Sequence, residues 1–350
     1  MKTLTKDDIK VKIRDEILSE YIEKGSSFKK VVYLDLGVKK VKLVCHSELF
    51  IPHIQKQMTY TFAENLSSYD AEIILWQQSE IDDITKVKGL FVSEDVECGE
   101  LCDFVITDTT ITANNSDMTK FYYGVKNLEP EEFVKEGHLF VKILNNILKT
   151  DTTTLVHGAC IGLVGNGVLL CARGQKGKST LAVLSMIEGF EYVSDDYLTL
   201  EKCGDELFAY PIYSIITLSP RMYNELYDRL DGTRFLSNNA RKDKYVINIA
   251  NFHDRFRKKY PIKLCMSLEF TEDENPSIIE SSPQEKGRAI TQLVHSTVIQ
   301  MFDMFDAELV KKIIGMVNGF KFYRINLCND IYKNVEALKI FMKEYKDGQL

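Results

Sequence analysis

The 350-residue sequence has no excess of basic charge, no long apolar run and no closely spaced cysteine motif. Lysine and arginine number 44 against 51 aspartates and glutamates, a net charge of −7. Gripping nucleic acid through an overall field needs clustered Lys and Arg, so this balance speaks against nucleic acid as a partner. No apolar run approaches the roughly 20 residues that cross a bilayer. The opening stretch MKTLTKDDIKVKIRDEILSEY is charged throughout and has no apolar centre of the kind a secretory signal needs. The expectation is a cytoplasmic protein without a membrane partner. The eight cysteines (Cys45, Cys98, Cys102, Cys160, Cys171, Cys203, Cys265 and Cys328) form no C-x-x-C pair, and Cys98 with Cys102 finds no second pair to complete a zinc site. They are expected to be reduced and mostly buried. The sequence shows neither an internal repeat nor a low-complexity tract.

What is present is the texture of a globular protein: 45% hydrophobic and 27% charged residues, in a chain long enough for two domains and a large core. The first 24 residues read as a charged amphipathic helix. From about 30 to 128 short strands dominate. KKVVYLDLG and VKKVKLVCH pair about Gly37, and YDAEIILWQ, GLFVSEDV, CDFVITDTT and KFYYGVKNL follow. Residues 129–150 have helical spacing, with Phe133, Val134, Leu139, Phe140, Ile143, Leu144 and Ile147 on one face. The expected division is a strand-rich α+β domain over 1–150 and an α/β domain over 151–350.

In the second part, TTLVHGACIGLV and VLLCA flank the tight turn GNG, a hairpin signal because Asn166 and Gly167 both tolerate positive φ. The second run leads into ARGQKGKST. This stretch carries the latter half of a phosphate-binding loop, Gly177-Lys178-Ser179, with Ala172 where the motif's first glycine belongs and a glycine two residues on, at Gly174. KSTLAVLSMIEG then reads as a helix ended by Gly189. The pattern works because backbone N–H groups converge at a helix start, where the helix dipole also favours an anion. Gly174, Gln175, Lys176, Gly177, Lys178, Ser179 and Thr180 are the candidate nucleotide-binding residues. Gly174 would give the turn its freedom, Lys178 would reach the β- and γ-phosphates, and Ser179 would face Mg²⁺.

Asp195 and Asp196 close the strand FEYVSDD, 17 residues after Lys178. A helical crossover would make this strand run parallel to the loop strand, so that both carboxylates emerge at the edge where ligands bind. One could hold the metal and the other accept a proton from an attacking hydroxyl. His157, in LVHGAC, would stand opposite Gly174 to Lys176 by hairpin pairing, beside the loop. Downstream, RMYNELYDRL after Pro220, KGRAITQLVHSTVIQMF, DAELVKKIIGMV and YKNVEALKIFMKEY read as helices. DKYVINI, IKLCMSLEF and FKFYRINL read as strands. Arg241, Lys242 and Lys244 could supply a cation to a transferring phosphoryl group.

Residues 155–201, with His157–Gly158, Gly177–Lys178–Ser179 and Asp195–Asp196, resemble the catalytic domain of HPr kinase/phosphorylase and its wider relatives. The resemblance implies a fold related to phosphoenolpyruvate carboxykinase and transfer from Mg·ATP to a serine hydroxyl. It also implies that Lys178 binds phosphate, Ser179 and Asp196 hold metal, and Asp195 is the base. The chain departs from the family in two ways. No E-x-R-G segment follows the aspartates, so neither the phosphorylase reaction nor HPr as acceptor is implied, and Ala172 and Gln175 replace loop glycines. Divergent relatives include kinases that phosphorylate a serine of a natural-product precursor peptide. The expected function is therefore an ATP-dependent kinase acting on a peptide or protein serine. The alternatives are a non-catalytic nucleotide sensor or scaffold, and a kinase for free serine. Resemblance to hexameric relatives is compatible with a homo-oligomer.

Overall fold

The computed structural model describes residues 30–77, 91–92, 101–106, 110–125, 138–230, 234–237, 244–302 and 306–345. The charged helix expected over the first 24 residues, the first part of the helix expected over 129–150, Arg241 and Lys242 lie outside them. The chain divides into two compact units. Met1–Asp35, Lys39–Lys56 and Phe62–Leu139 form one; Leu36–Val38, Gln57–Thr61 and Phe140–Leu350 form the other.

The first unit is built on one sheet ordered β3-β1-β2-β4-β8-β7-β6-β5. Its strands are β1 (Lys30–Asp35), β2 (Lys40–Cys45), β3 (Phe62–Ala63), β4 (Ala71–Gln77), β5 (Phe91–Val92), β6 (Leu101–Ile106), β7 (Thr110–Asn115) and β8 (Lys120–Val125). β1 and β2 are the expected antiparallel pair, turning at Gly37 with φ 81°. β2, β4 and β8 run parallel, and parallel neighbours need a crossover. The crossover from β2 to β4 contains a helix that the sequence reading passed over, α1 (Phe50–Gln57), anchored by the buried Phe50 and Ile54.

The second unit is α/β. Its entry helix, α2 (Val141–Leu148), is shorter than the sequence spacing suggests. Phe140 sits at φ 62°, a left-handed conformation that an α-helix cannot run through. The main sheet follows the path β12-β10-β11-β18-β14-β13-β9, with β20 beside β18 and β19 beside β20. The strands are β9 (Thr153–His157), β10 (Ala159–Leu163), β11 (Asn166–Cys171), β12 (Glu191–Ser194), β13 (Tyr197–Cys203), β14 (Glu206–Pro211), β18 (Tyr260–Phe270), β19 (Ser277–Glu280) and β20 (Lys321–Leu327). A second, three-stranded sheet joins β15 (Ile215–Leu218), β17 (Lys244–Asn248) and β16 (Arg234–Ser237).

Period-two alternation sorts the strand residues into two cores. Ile161, Val168, Leu170, Leu264, Met266 and Leu268 pack with α3 (Lys178–Ile187) and α7 (Ile331–Glu344). Cys160, Leu169, Cys171, Cys265 and Phe322 pack with α5 (Pro283–Phe302) and α6 (Ala307–Val317). Between them, α4 (Pro220–Leu226) starts on a Ser219 cap, whose hydroxyl accepts from the Met222 N–H. Helices on both sheet faces account for strands that are buried on both sides. Among the described residues, no helix is long and apolar enough to cross a membrane.

Candidate active site

The apolar run TTLVHGACIGLV is two strands rather than one. β9 pairs antiparallel with β13, Tyr197 opposite His157, and β10 pairs antiparallel with β12, Ser194 opposite Cys160. Between these pairs the Gly158 N–H donates to the Asp196 carbonyl at 2.9 Å. The two chain segments thus form one ribbon, interrupted at Gly158 on one side and at Asp195–Asp196 on the other. A Cβ on Gly158 would lie 3.3 Å from both the Leu169 side chain and the Leu170 carbonyl, so glycine fits the break best. Across from it Asp196 adopts φ 67°, a conformation that Asp tolerates better than most residues. This interruption sets two adjacent carboxylates at one point of the sheet.

The β10–β11 hairpin is present, but its turn is not GNG. Leu163 pairs with Asn166, so the two-residue loop is Val164–Gly165, at φ 53° and 80°. Because β9 pairs with β13, His157 is not held opposite the loop by hairpin pairing. It is brought beside Asp196 instead, with Nε2 3.5 Å from Oδ1. The strand order corrects a second expectation only in part. β12 does run in the same direction as β11, but β10 stands between them, antiparallel to both.

The loop from Cys171 to Lys178 follows β11 and opens α3, as the sequence pattern requires. Its positive-φ residues are Gln175 at 67° and Gly177 at 84°. Gly174 has open space around its Cα and is not among the positive-φ residues, so the expected conformational role passes to Gln175. Gly177 is the N-cap of α3 and no side chain caps that helix, which leaves its first N–H groups available to an anion. Ser179 and Thr180 stand half-buried on the first turn, and Lys176 pairs with Glu269 at 3.4 Å.

Lys178 joins the loop to the carboxylates. Its Nζ lies 2.7 Å from Asp195 Oδ1 and 3.1 Å from Asp196 Oδ1. Lys178 and Asp195 are 5% and 1% exposed. Burial works against the ammonium charge, but the two carboxylates outweigh it and raise the lysine pKa above its ordinary value. Asp196 Oδ2 accepts a hydrogen bond from the Thr217 hydroxyl at 3.1 Å. Asp195 Oδ2 is buried and accepts none. The Tyr192 hydroxyl, also buried without a partner, has its pKa raised by burial first and by Asp195 and Asp196 next. The His157 backbone N–H donates to Thr297 Oγ1 at 2.9 Å, and the imidazole ring meets Tyr197 edge-on at 5.3 Å.

The structure therefore gathers His157, Lys178, Asp195 and Asp196 in one cluster at the helix start that carries Ser179 and Thr180. Thr217, Thr297 and Tyr192 belong to this cluster too. Thr217 and Thr297 come from distant segments with no motif around them, and only strand periodicity in FEYVSDD could have flagged Tyr192. Lys244 opens β17, two rungs from Thr217 along the β15–β17 pairing. Among the described residues no group of three or more His, Cys, Asp or Glu could hold a metal. A hydroxyl on Ser179 and a carboxylate on Asp196 are hard oxygen donors, and Mg²⁺ commonly takes one or two protein ligands of this kind, completing its shell with phosphate and water.

No protein-family model and no characterised protein matches the sequence. Solved structures show a distant structural similarity. One is the Hpr(Ser) kinase/phosphatase from Coxiella burnetii, 12% identical, with a TM-score of 0.32, over 55% of this chain and 97% of that one.

Proposed function

We propose that this chain is an ATP-dependent kinase that transfers the γ-phosphoryl group to a serine hydroxyl of a peptide or protein. One observation carries the reading: the Lys178 ammonium is held between Asp195 and Asp196, at 2.7 and 3.1 Å, at the start of a helix without a side-chain cap. This brings a cation for phosphate, an anion-binding helix start and a carboxylate base within one residue's reach. A structural ion pair would need only one carboxylate.

In this reading the loop N–H groups and Lys178 hold the β- and γ-phosphates. Ser179 and Asp196 would hold Mg²⁺, which neutralises charge on the triphosphate. Asp195 Oδ2, which no donor engages, takes the proton of the acceptor hydroxyl. The hydroxyl oxygen forms its bond to the γ-phosphorus as the bond to the β–γ bridging oxygen breaks, and ADP leaves with that electron pair. His157 steadies Asp196 from the side opposite Thr217. Because both Asp196 oxygens are already engaged, its geometry is fixed, which suits a metal ligand.

The test is Mg²⁺-dependent ADP release against an acceptor panel of HPr, serine-bearing peptides and free serine, with mass spectrometry on each. A gain of one phosphate on a peptide or protein supports the proposal. A gain on free serine alone moves the substrate to a small molecule, and ATP binding with no acceptor modified favours a sensor.

A further inference from the structure

The carboxyl end of β18 carries an aromatic ring that the proposed chemistry does not use. Leu264, Met266 and Leu268 are buried in the core with α3 and α7, and Phe270 continues their face of the strand. There the cover ends, and Phe270 is 58% exposed. Its ring lies beside the loop. A Cβ built on Gly177 would lie 3.6 Å from Phe270 Cζ and 3.8 Å from Cε1. Glu269 is tied to the loop through Lys176, and the Thr271 N–H donates to the Leu327 carbonyl at 2.9 Å. An exposed phenyl ring thus lies beside the N-cap of the helix whose N–H groups face the phosphates in the proposed reading.

Phe270 ends β18, the neighbour of β11, the strand that leads into the loop. An apolar ring at that strand end is within reach of the nucleoside of a nucleotide whose phosphates lie on the loop.

We propose that Phe270 is the platform on which the nucleobase stacks, an inference that rests on the nucleotide reading of the loop. A phenyl ring offers a π-face and no hydrogen bond, so it serves any base and rewards the larger purine surface. Base–aromatic stacking of this kind changes affinity by about 5- to 100-fold on truncation to alanine.

The experiment is calorimetry on the full chain, with wild type, Phe270→Ala and Phe270→Trp each titrated with Mg·ATP and with inorganic triphosphate plus Mg²⁺. The expected result is that wild type binds ATP more tightly than triphosphate. Phe270→Ala weakens ATP binding about 5- to 100-fold and leaves triphosphate binding unchanged, which also shows that the variant is folded. Phe270→Trp keeps ATP affinity, and its new indole is quenched by ATP but not by triphosphate, relative to wild type with its single Trp76. Equal ATP affinity in wild type and Phe270→Ala would overturn the platform while leaving the nucleotide site standing. Failure of wild type to bind either ligand would overturn the nucleotide reading and the platform together.

Discussion

Lys178 Nζ lies 2.7 Å from Asp195 Oδ1, and both side chains are almost wholly buried. The contact crosses from the first residue of α3 to the interruption between β12 and β13. It couples the anion-binding helix start to the acidic pair. It also means that the ammonium has two partners before any phosphate arrives.

Removing Lys178 leaves the buried Asp195 carboxylate beside the half-buried Asp196 carboxylate, with no cation between them. Breaking a buried ion pair from one side costs about 3–5 kcal/mol, so Lys178→Met is expected to lower the urea midpoint substantially. Adding Asp195→Asn to that variant removes one of the stranded charges and is expected to recover part of the loss. Equal midpoints for wild type and Lys178→Met would show that the pair contributes nothing to the fold.

Thr217 acts on Asp196 alone. Thr217→Val leaves Asp196 Oδ2 without its donor, a loss worth about 1–3 kcal/mol. The expected effect is a raised Mg²⁺ requirement in ATP binding together with a loss of stability on that scale, and Thr217→Ser should restore both. A Mg²⁺ titration of the two variants checks this, and a failure of serine to rescue would point to packing instead of the hydroxyl.

The hairpin turn at Val164–Gly165 places a β-branched residue at φ 53°, 77% exposed. Left-handed backbone costs such a residue about 1–2 kcal/mol, and Asn suits the position far better. Val164→Asn is expected to stabilise the protein by about 1 kcal/mol, without effect on nucleotide binding. Chemical denaturation decides it, and a destabilised variant would rule out the two-residue turn.

Burial foremost, with help from Asp196, pushes the Tyr197 phenol up to about 12. An unfolded tyrosine ionises near its ordinary pKa of about 10, so the folded state holds its proton longer. The stabilising contribution is complete below pH 10 and is lost as pH climbs toward 12. Tyr197→Phe should flatten that part of the stability curve, as alkaline denaturation followed by circular dichroism would show. An unchanged slope would mean that Tyr197 titrates alike in both states.

Much of the second unit was legible because local chemistry agreed with the final fold. GKST after an apolar strand fixes the start of α3, Gly189 ends it, and the sequence reads as helical within 283–302, 307–317 and 331–344. The unreadable parts were decided at long range. TTLVHGACIGLV shows no polar interruption that would mark a strand end, so nothing in its pattern shows that it breaks at Gly158 to serve two partner strands. Asn166–Gly167 is a sound turn signal on its own, but the Leu163–Asn166 register moved the turn forward. In the loop, Gly174 looked like the flexible residue, whereas the left-handed position falls on Gln175. Thr217 reaches Asp196 from a separate three-stranded sheet, and no spacing in the sequence announces such a contact.

Holding a nucleotide and transferring its phosphate are separable functions of this site. Asp195→Asn separates them, with Mg·ATP affinity measured by calorimetry and phosphate transfer measured on the acceptor that wild type modifies. The expected result is retained binding and a loss of transfer of at least about 100-fold, the usual scale for a general base. Turnover equal to wild type in that variant would contradict Asp195 as the base and the mechanism built on it.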